Sequence, residues 1–95
     1  MRKALVVGIN DYSNVPLRGC VTDAIAIGNI LGTHGDGAPN FGVKLKTSPS
    51  ETITKAALRG EIEILFSGDP EVALLYFSGH GFINNLGGYI VTTYT

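Results

Sequence analysis

Residues 71–81 read EVALLYFSGHG. From Val72 to Phe77 the run is apolar without a break, which suits a short strand buried on both faces, as in a parallel sheet. Val72, Leu74 and Tyr76 fall on one face of such a strand, and Ala73, Leu75 and Phe77 on the other. Working back, Lys3 to Ile9 (KALVVGI) is a second run of the same kind, stopped by Asn10, Asp11, Ser13, Asn14 and Pro16. Between the two runs, Val21 to Leu31 carries apolar residues at 21, 24, 25, 27, 30 and 31, with Gly32 just beyond, and predicts a helix. His34 to Asn40 is turn chemistry, and Phe41 to Lys46 (FGVKLK) alternates like a strand half open to water. Ser48-Pro49-Ser50-Glu51 reads as a helix start, with Ser48 as the cap, Pro49 in the first position and Glu51 closing a capping box. That helix runs to about Phe66, with Leu58, Ile62 and Leu65 on one side and Lys55, Arg59 and Glu63 on another, and Ser67 to Pro70 ends it. Forward of the quoted stretch, Phe82-Ile83 and Tyr89-Ile90-Val91 flank Asn84 to Gly88 and predict a hairpin. The order βαβαβ plus hairpin makes the fold class α/β, with a mainly parallel sheet and right-handed crossovers.

Composition narrows the function. The 95 residues allow one domain, and a hydrophobic share of 44% with 16% charged residues is globular. Seven basic residues scattered among eight acidic ones make no phosphate-tracking stripe, so no nucleic acid is expected as partner. No apolar run approaches the roughly 18 residues of a membrane span. Met1-Arg2-Lys3 before Ala4 to Ile9 has the flavour of a signal sequence, but the apolar stretch is short and no small-residue cleavage site follows. Cys20 is the only cysteine, which excludes an internal disulfide and a thiolate zinc site and fits a reducing, cytoplasmic setting. Neither a G-x-G-x-x-G fingerprint nor a Walker loop occurs, which removes the common nucleotide-binding routes.

In parallel α/β sheets, ligands gather at the carboxyl ends of the strands. Two segments with reactive side chains fall there. One is Asn10 to Cys20 with Asp23 just inside the next helix, and the other is Ser78-Gly79-His80-Gly81. They face each other if the first and third strands are neighbours. His80 stands between two glycines that let the backbone turn sharply and approach a ligand closely. It is a candidate general base, or else a histidine bonded to backbone at a strand end. Cys20 can pair with it as a thiol nucleophile, or can be a buried packing residue. Asp23 either interacts with the helix dipole or lines a pocket for a cationic side chain. His34 lies in a Gly-rich surface loop and reads as bland.

KALVVGINDY in the first strand, LRGCVTDA entering the first helix and EVALLYFSGHG ending the third strand together resemble the caspase-like cysteine peptidases. Within that group they look most like the metacaspases and their bacterial relatives. The resemblance covers Lys3 to about Val91. It implies the N-terminal portion of a three-layer sandwich with a mainly parallel sheet. It implies that His80 is the catalytic histidine and that the Gly81 N–H helps form the oxyanion hole. It further implies that Asp23, as a buried carboxylate, lines an S1 pocket selecting arginine or lysine. Cys20 lies close to that pocket without being the main nucleophile. Metacaspases often need calcium, but no ligand cluster maps onto this sequence, so no metal or other cofactor is assigned.

The family nucleophile is a different cysteine, on a fourth strand about 50 residues past the histidine. Neither a Q-A-C-x-G nor a D-x-C-x-S-G pattern is present in residues 1–95. The expectation is therefore a caspase-like domain without its nucleophile-bearing strand, in which Val72 to Ser78 pairs with the first strand on one side and stands as an open apolar edge on the other. Such a chain is a processed large subunit, a fragment or a pseudoenzyme. The partner is a protein or peptide substrate, together with a second chain or C-terminal portion that carries the catalytic cysteine. The alternative is a non-catalytic caspase-like module for binding or assembly.

Overall fold

The strand β1 (Arg2–Ile9) is the centre of the sheet, flanked in parallel by β2 (Gly42–Ser48) and β3 (Val72–Ser78) in the order β2-β1-β3. A computed structural model describes residues 1–10, 12, 17–48 and 50–92. Two helices, α1 (Cys20–Gly32) and α2 (Lys55–Phe66), connect these strands, and the hairpin β4 (Gly81–Asn84) and β5 (Gly87–Ile90) follows. The chain steps from β1 outward to β2 and then back across to β3. Crossovers of one handedness then place the two helices on opposite faces, and the packing agrees. Ala4 and Val6 of β1 bury with Ala24 of α1, joined by Val43, Leu74 and Tyr76. Leu5, Val7 and Ile9 bury with Leu58 and Leu65 of α2, joined by Ala73 and Phe77. The three layers are α1, sheet and α2, the N-terminal portion of the expected sandwich.

β1 meets its expectation in full: Leu5, Val6, Val7 and Ile9 are at most 2% exposed. β3 is less buried than its apolar run alone implies and is the open edge that the missing strand implies: Val72 and Leu75 are 41% and 40% exposed. Among the described residues β3 pairs only on its β1 side, so its apolar residues lack neighbours where a buried strand would have them. An open apolar edge pairs with whatever strand it meets. The 95-residue protein is expected to self-associate by itself, seen as a sedimentation coefficient rising with concentration. A monomer at every concentration that unfolds cooperatively would contradict this.

The second helix begins later than the sequence suggested. Ser48 is the last residue of β2 and 1% exposed, so it is not the cap of α2, and Glu51 turns its carboxylate to Lys46 at 3.2 Å. Pro49, with Asp11, Ser13, Asn14 and Pro16 after β1, lies outside the described residues. The working cap is Thr54, whose hydroxyl accepts from the Ala57 N–H at 3.1 Å. Ile53 before it and Leu58 after it meet in the same buried cluster, a hydrophobic staple that fixes the entry angle. At the other end, Lys3 donates to the carbonyls of Ile64 and Ser67, at 2.6 and 3.0 Å. That places a cation on the carbonyl end of the helix dipole.

β2 sends Val43 and Leu45 toward Gly28 of α1, and Lys44 and Lys46 toward α2. Its polar face is therefore met by a carboxylate as well as by water. Glu61 takes Lys44 at 2.8 Å and Lys46 at 3.1 Å. The Lys44 hydrogen bond, then that of Lys46, holds the Glu61 carboxyl below its usual value against the opposing effect of burial. A lowered folded pKa contributes stability that is present above the ordinary glutamate pKa and lost as pH falls through the folded value. Glu61→Gln is therefore expected to melt lower than the parent at pH 7, by an amount equivalent to about 1 kcal/mol or less. The gap should close in melts below pH 3 and shrink in high salt.

Candidate active site

Gly8 of β1 is level with Ser78 of β3, so the carboxyl ends of the two strands lie side by side. The first turn of α1 docks against the same point. A Cβ on Gly8 would stand 2.6 Å from the Cys20 carbonyl oxygen and 2.7 Å from the Ala24 methyl. Glycine is required there because the helix backbone takes the space of a side chain. Cys20 is thus brought over the sheet one strand away from Ser78.

Asn10, directly after β1, organises the junction. Its Oδ1 accepts from the Cys20 and Val21 N–H groups at 3.0 and 3.2 Å. It caps α1 from a distance, which leaves the preceding Gly19 free to carry no capping side chain. The Asn10 carbonyl accepts from the Tyr12 and Leu17 N–H groups at 3.1 and 3.0 Å.

Tyr12, 8% exposed, links this junction to the other segment. Its hydroxyl accepts from the His80 N–H at 2.9 Å and donates to the Val91 carbonyl at 2.7 Å. Its ring meets the His80 imidazole edge-on, with centroids 4.3 Å apart and planes at 61°. Burial, the largest influence, raises the Tyr12 pKa; the His80 N–H opposes it and the electrostatic effect of Cys20 adds to it. The hydroxyl is therefore kept in the neutral form that can donate and accept at once.

Gly79 makes this approach feasible. A Cβ there would lie 2.5 Å from the Tyr12 oxygen and 2.8 Å from the Phe77 ring. The sequence reading gave this glycine to ligand approach, whereas the structure gives its space to Tyr12. Gly81 is tight as well, with Tyr89 oxygen 3.0 Å from where its Cβ would be. The Val91 N–H donates to the His80 carbonyl at 2.9 Å. Alternation along the antiparallel ladder then makes Gly81, opposite Ile90, the non-hydrogen-bonded position, whose N–H faces away from β5.

The expected site residues therefore divide. His80 and Gly81 follow the end of β3, and Cys20 enters α1 over Gly8 of the neighbouring strand. Asp23 is three residues further along that helix, on the same side, and it is exposed rather than buried. No element among the described residues covers it. His34 is exposed at the opposite end of the sheet, in the turn closed by the Thr33–Pro39 bridge. Tyr12 and Asn10 are the residues that sequence reasoning missed. Both stood in the GIN-x-Y segment, but nothing local says that Asn10 caps a helix starting ten residues later or that Tyr12 reaches a strand 68 residues away. Clefts of about 410 and 600 Å³ run along α2, and neither is lined by Cys20, Asp23 or His80.

A family model described as a caspase domain matches residues 1–94. The chain belongs to the caspase domain family. The curated proteins searched gave no match. Membership makes this caspase domain part of a peptidase family. Among the described residues of the domain, no helix is long and apolar enough to cross a membrane. No group of three His, Cys, Asp or Glu side chains among them could hold a metal ion.

Proposed function

We propose that this caspase domain supplies the histidine half of a metacaspase-type cysteine endopeptidase that cleaves after arginine or lysine. The observation that carries the reading is the placement of His80. It lies two residues past the strand beside β1, half-buried, with its main chain tied at both N–H and carbonyl. In this reading the imidazole takes the proton from a thiol and later returns it to the leaving amine. The N–H of Gly81, turned away from β5, stabilises the tetrahedral oxyanion. Asp23 pairs with the cationic P1 side chain. Cys20 is the only cysteine in the 95 residues and enters α1 on the Asn10 cap, where it flanks the pocket. The attacking thiol then comes from polypeptide beyond these residues, in the same chain or a second one.

The test compares the product of the complete reading frame with the isolated 95-residue protein, on peptides bearing Arg, Lys, Asp or a neutral residue at P1. The complete product should cleave after Arg and Lys and stop on thiol alkylation, while the 95 residues alone should cleave nothing. Cleavage after Asp would reject the metacaspase branch. A complete product without peptidase activity would favour the non-catalytic module, and cleavage by the 95 residues alone would make Cys20 the nucleophile.

A further inference from the structure

We propose that Tyr12 is a positioning residue for His80, the group that holds the imidazole where it can exchange a proton with the thiol. The proposal rests on the reading of His80 as the general base.

The hydroxyl of Tyr12 stands inside a rung of the hairpin. The carbonyl of His80 already accepts from the Val91 N–H. The reciprocal bond, from His80 N–H to Val91 carbonyl, is replaced by a relay through the Tyr12 oxygen, at 2.9 and 2.7 Å. Both main-chain polar groups of His80 are therefore fixed, one by the hairpin and one by Tyr12. The edge contact with the Tyr12 ring bounds the imidazole on one side. Gly79 fits the same account, because any Cβ there would collide with the Tyr12 oxygen.

Tyr12 is itself anchored. Its N–H donates to Asn10, the residue that caps α1 and so sets the start of the helix bearing Cys20 and Asp23. One short segment thus fixes both the helix that borders the pocket and the strand end that carries the base. Phenylalanine would keep the ring contact and lose the relay. The hairpin would then have to close over the vacated space or leave the His80 N–H without its partner, and either change moves the imidazole. Proton transfer is sensitive to such shifts, since about 1 Å of misplacement costs on the order of 100-fold in rate.

The experiment uses the active peptidase, this chain together with the segment that supplies the thiol. Tyr12→Phe is expected to lower kcat by about 10- to 100-fold with KM within about threefold. Hydrogen exchange at the His80 amide should quicken and the imidazole NMR resonances should broaden, while the protein still melts cooperatively. para-Aminophenylalanine at position 12 restores a donor and acceptor on the same ring and should recover most of the lost kcat. It also decides the matter if Tyr12→Phe does not fold. Parent-like kcat in Tyr12→Phe, where His80→Ala is inactive, overturns the positioning role and leaves the base reading standing. A folded para-amino variant as slow as Tyr12→Phe overturns it too. Turnover that survives His80→Ala removes the base reading, and the positioning role with it.

Discussion

His80→Ala in the active peptidase is expected to lower kcat by about 10⁴-fold or more, as loss of a base from a nucleophile–base pair does. The size follows from what the imidazole supplies. Without it the thiol must lose its proton to water, and the leaving amine has no positioned acid. The fold should survive. Its main-chain bonds, N–H to Tyr12 and carbonyl from Val91, are kept by alanine. The edge contact with the Tyr12 ring goes, on the order of 0.5–1.5 kcal/mol, and the melting temperature should drop by a few degrees. Added imidazole should restore part of the rate in His80→Ala, because a small base can enter the space left behind. Loss of rate without any such rescue would point to distortion of the site. Near-normal turnover would end the assignment.

Much of this domain could be read from periodicity. β1 and the core side of α2 follow directly from KALVVGI and from Leu58, Ile62 and Leu65, since burial period is a local property of the chain. The start of α2 was misread because Ser48-Pro49-Ser50-Glu51 satisfies every local rule for a cap. The sheet nevertheless claims Ser48 through its register with Ile9, a long-range fact. The apolar run of β3 was legible from its residues, but its open edge followed only from the resemblance, which implied a further strand beyond it, because a strand's burial depends on what lies at its far edge. The same division holds at the site. SGHG after a strand marked His80, and the neighbouring of the first and third strands put the start of α1 over the strand next to it. Tyr12 and Asn10 act through contacts across the chain, which no window of sequence displays. Their roles follow only when Gly8 lets α1 approach and Gly79 lets the phenol in.

Asp23→Ala in the active peptidase is expected to reduce the preference for arginine over a neutral P1 residue from at least about 100-fold to within a few-fold. Lysine should change in parallel, and the fold should lose only the few tenths of a kcal/mol that an acidic residue gains in the first turn of a helix. The magnitude depends on burial. In the described residues Asp23 is exposed, and an exposed ion pair contributes about 1 kcal/mol or less, roughly fivefold in specificity. A preference of two powers of ten requires that water be excluded around the carboxylate, so that a neutral P1 side chain leaves the charge without a partner. The polypeptide that brings the thiol would have to supply that cover, closing over the first turn of α1 as substrate enters. Measured kcat/KM for a matched series of P1 arginine, lysine, norleucine and aspartate peptides separates the cases. A large preference that vanishes in Asp23→Ala places the carboxylate in an enclosed pocket. A preference of a few-fold, unchanged by the substitution, would leave Asp23 as the first-turn acid of α1 and place the specificity elsewhere.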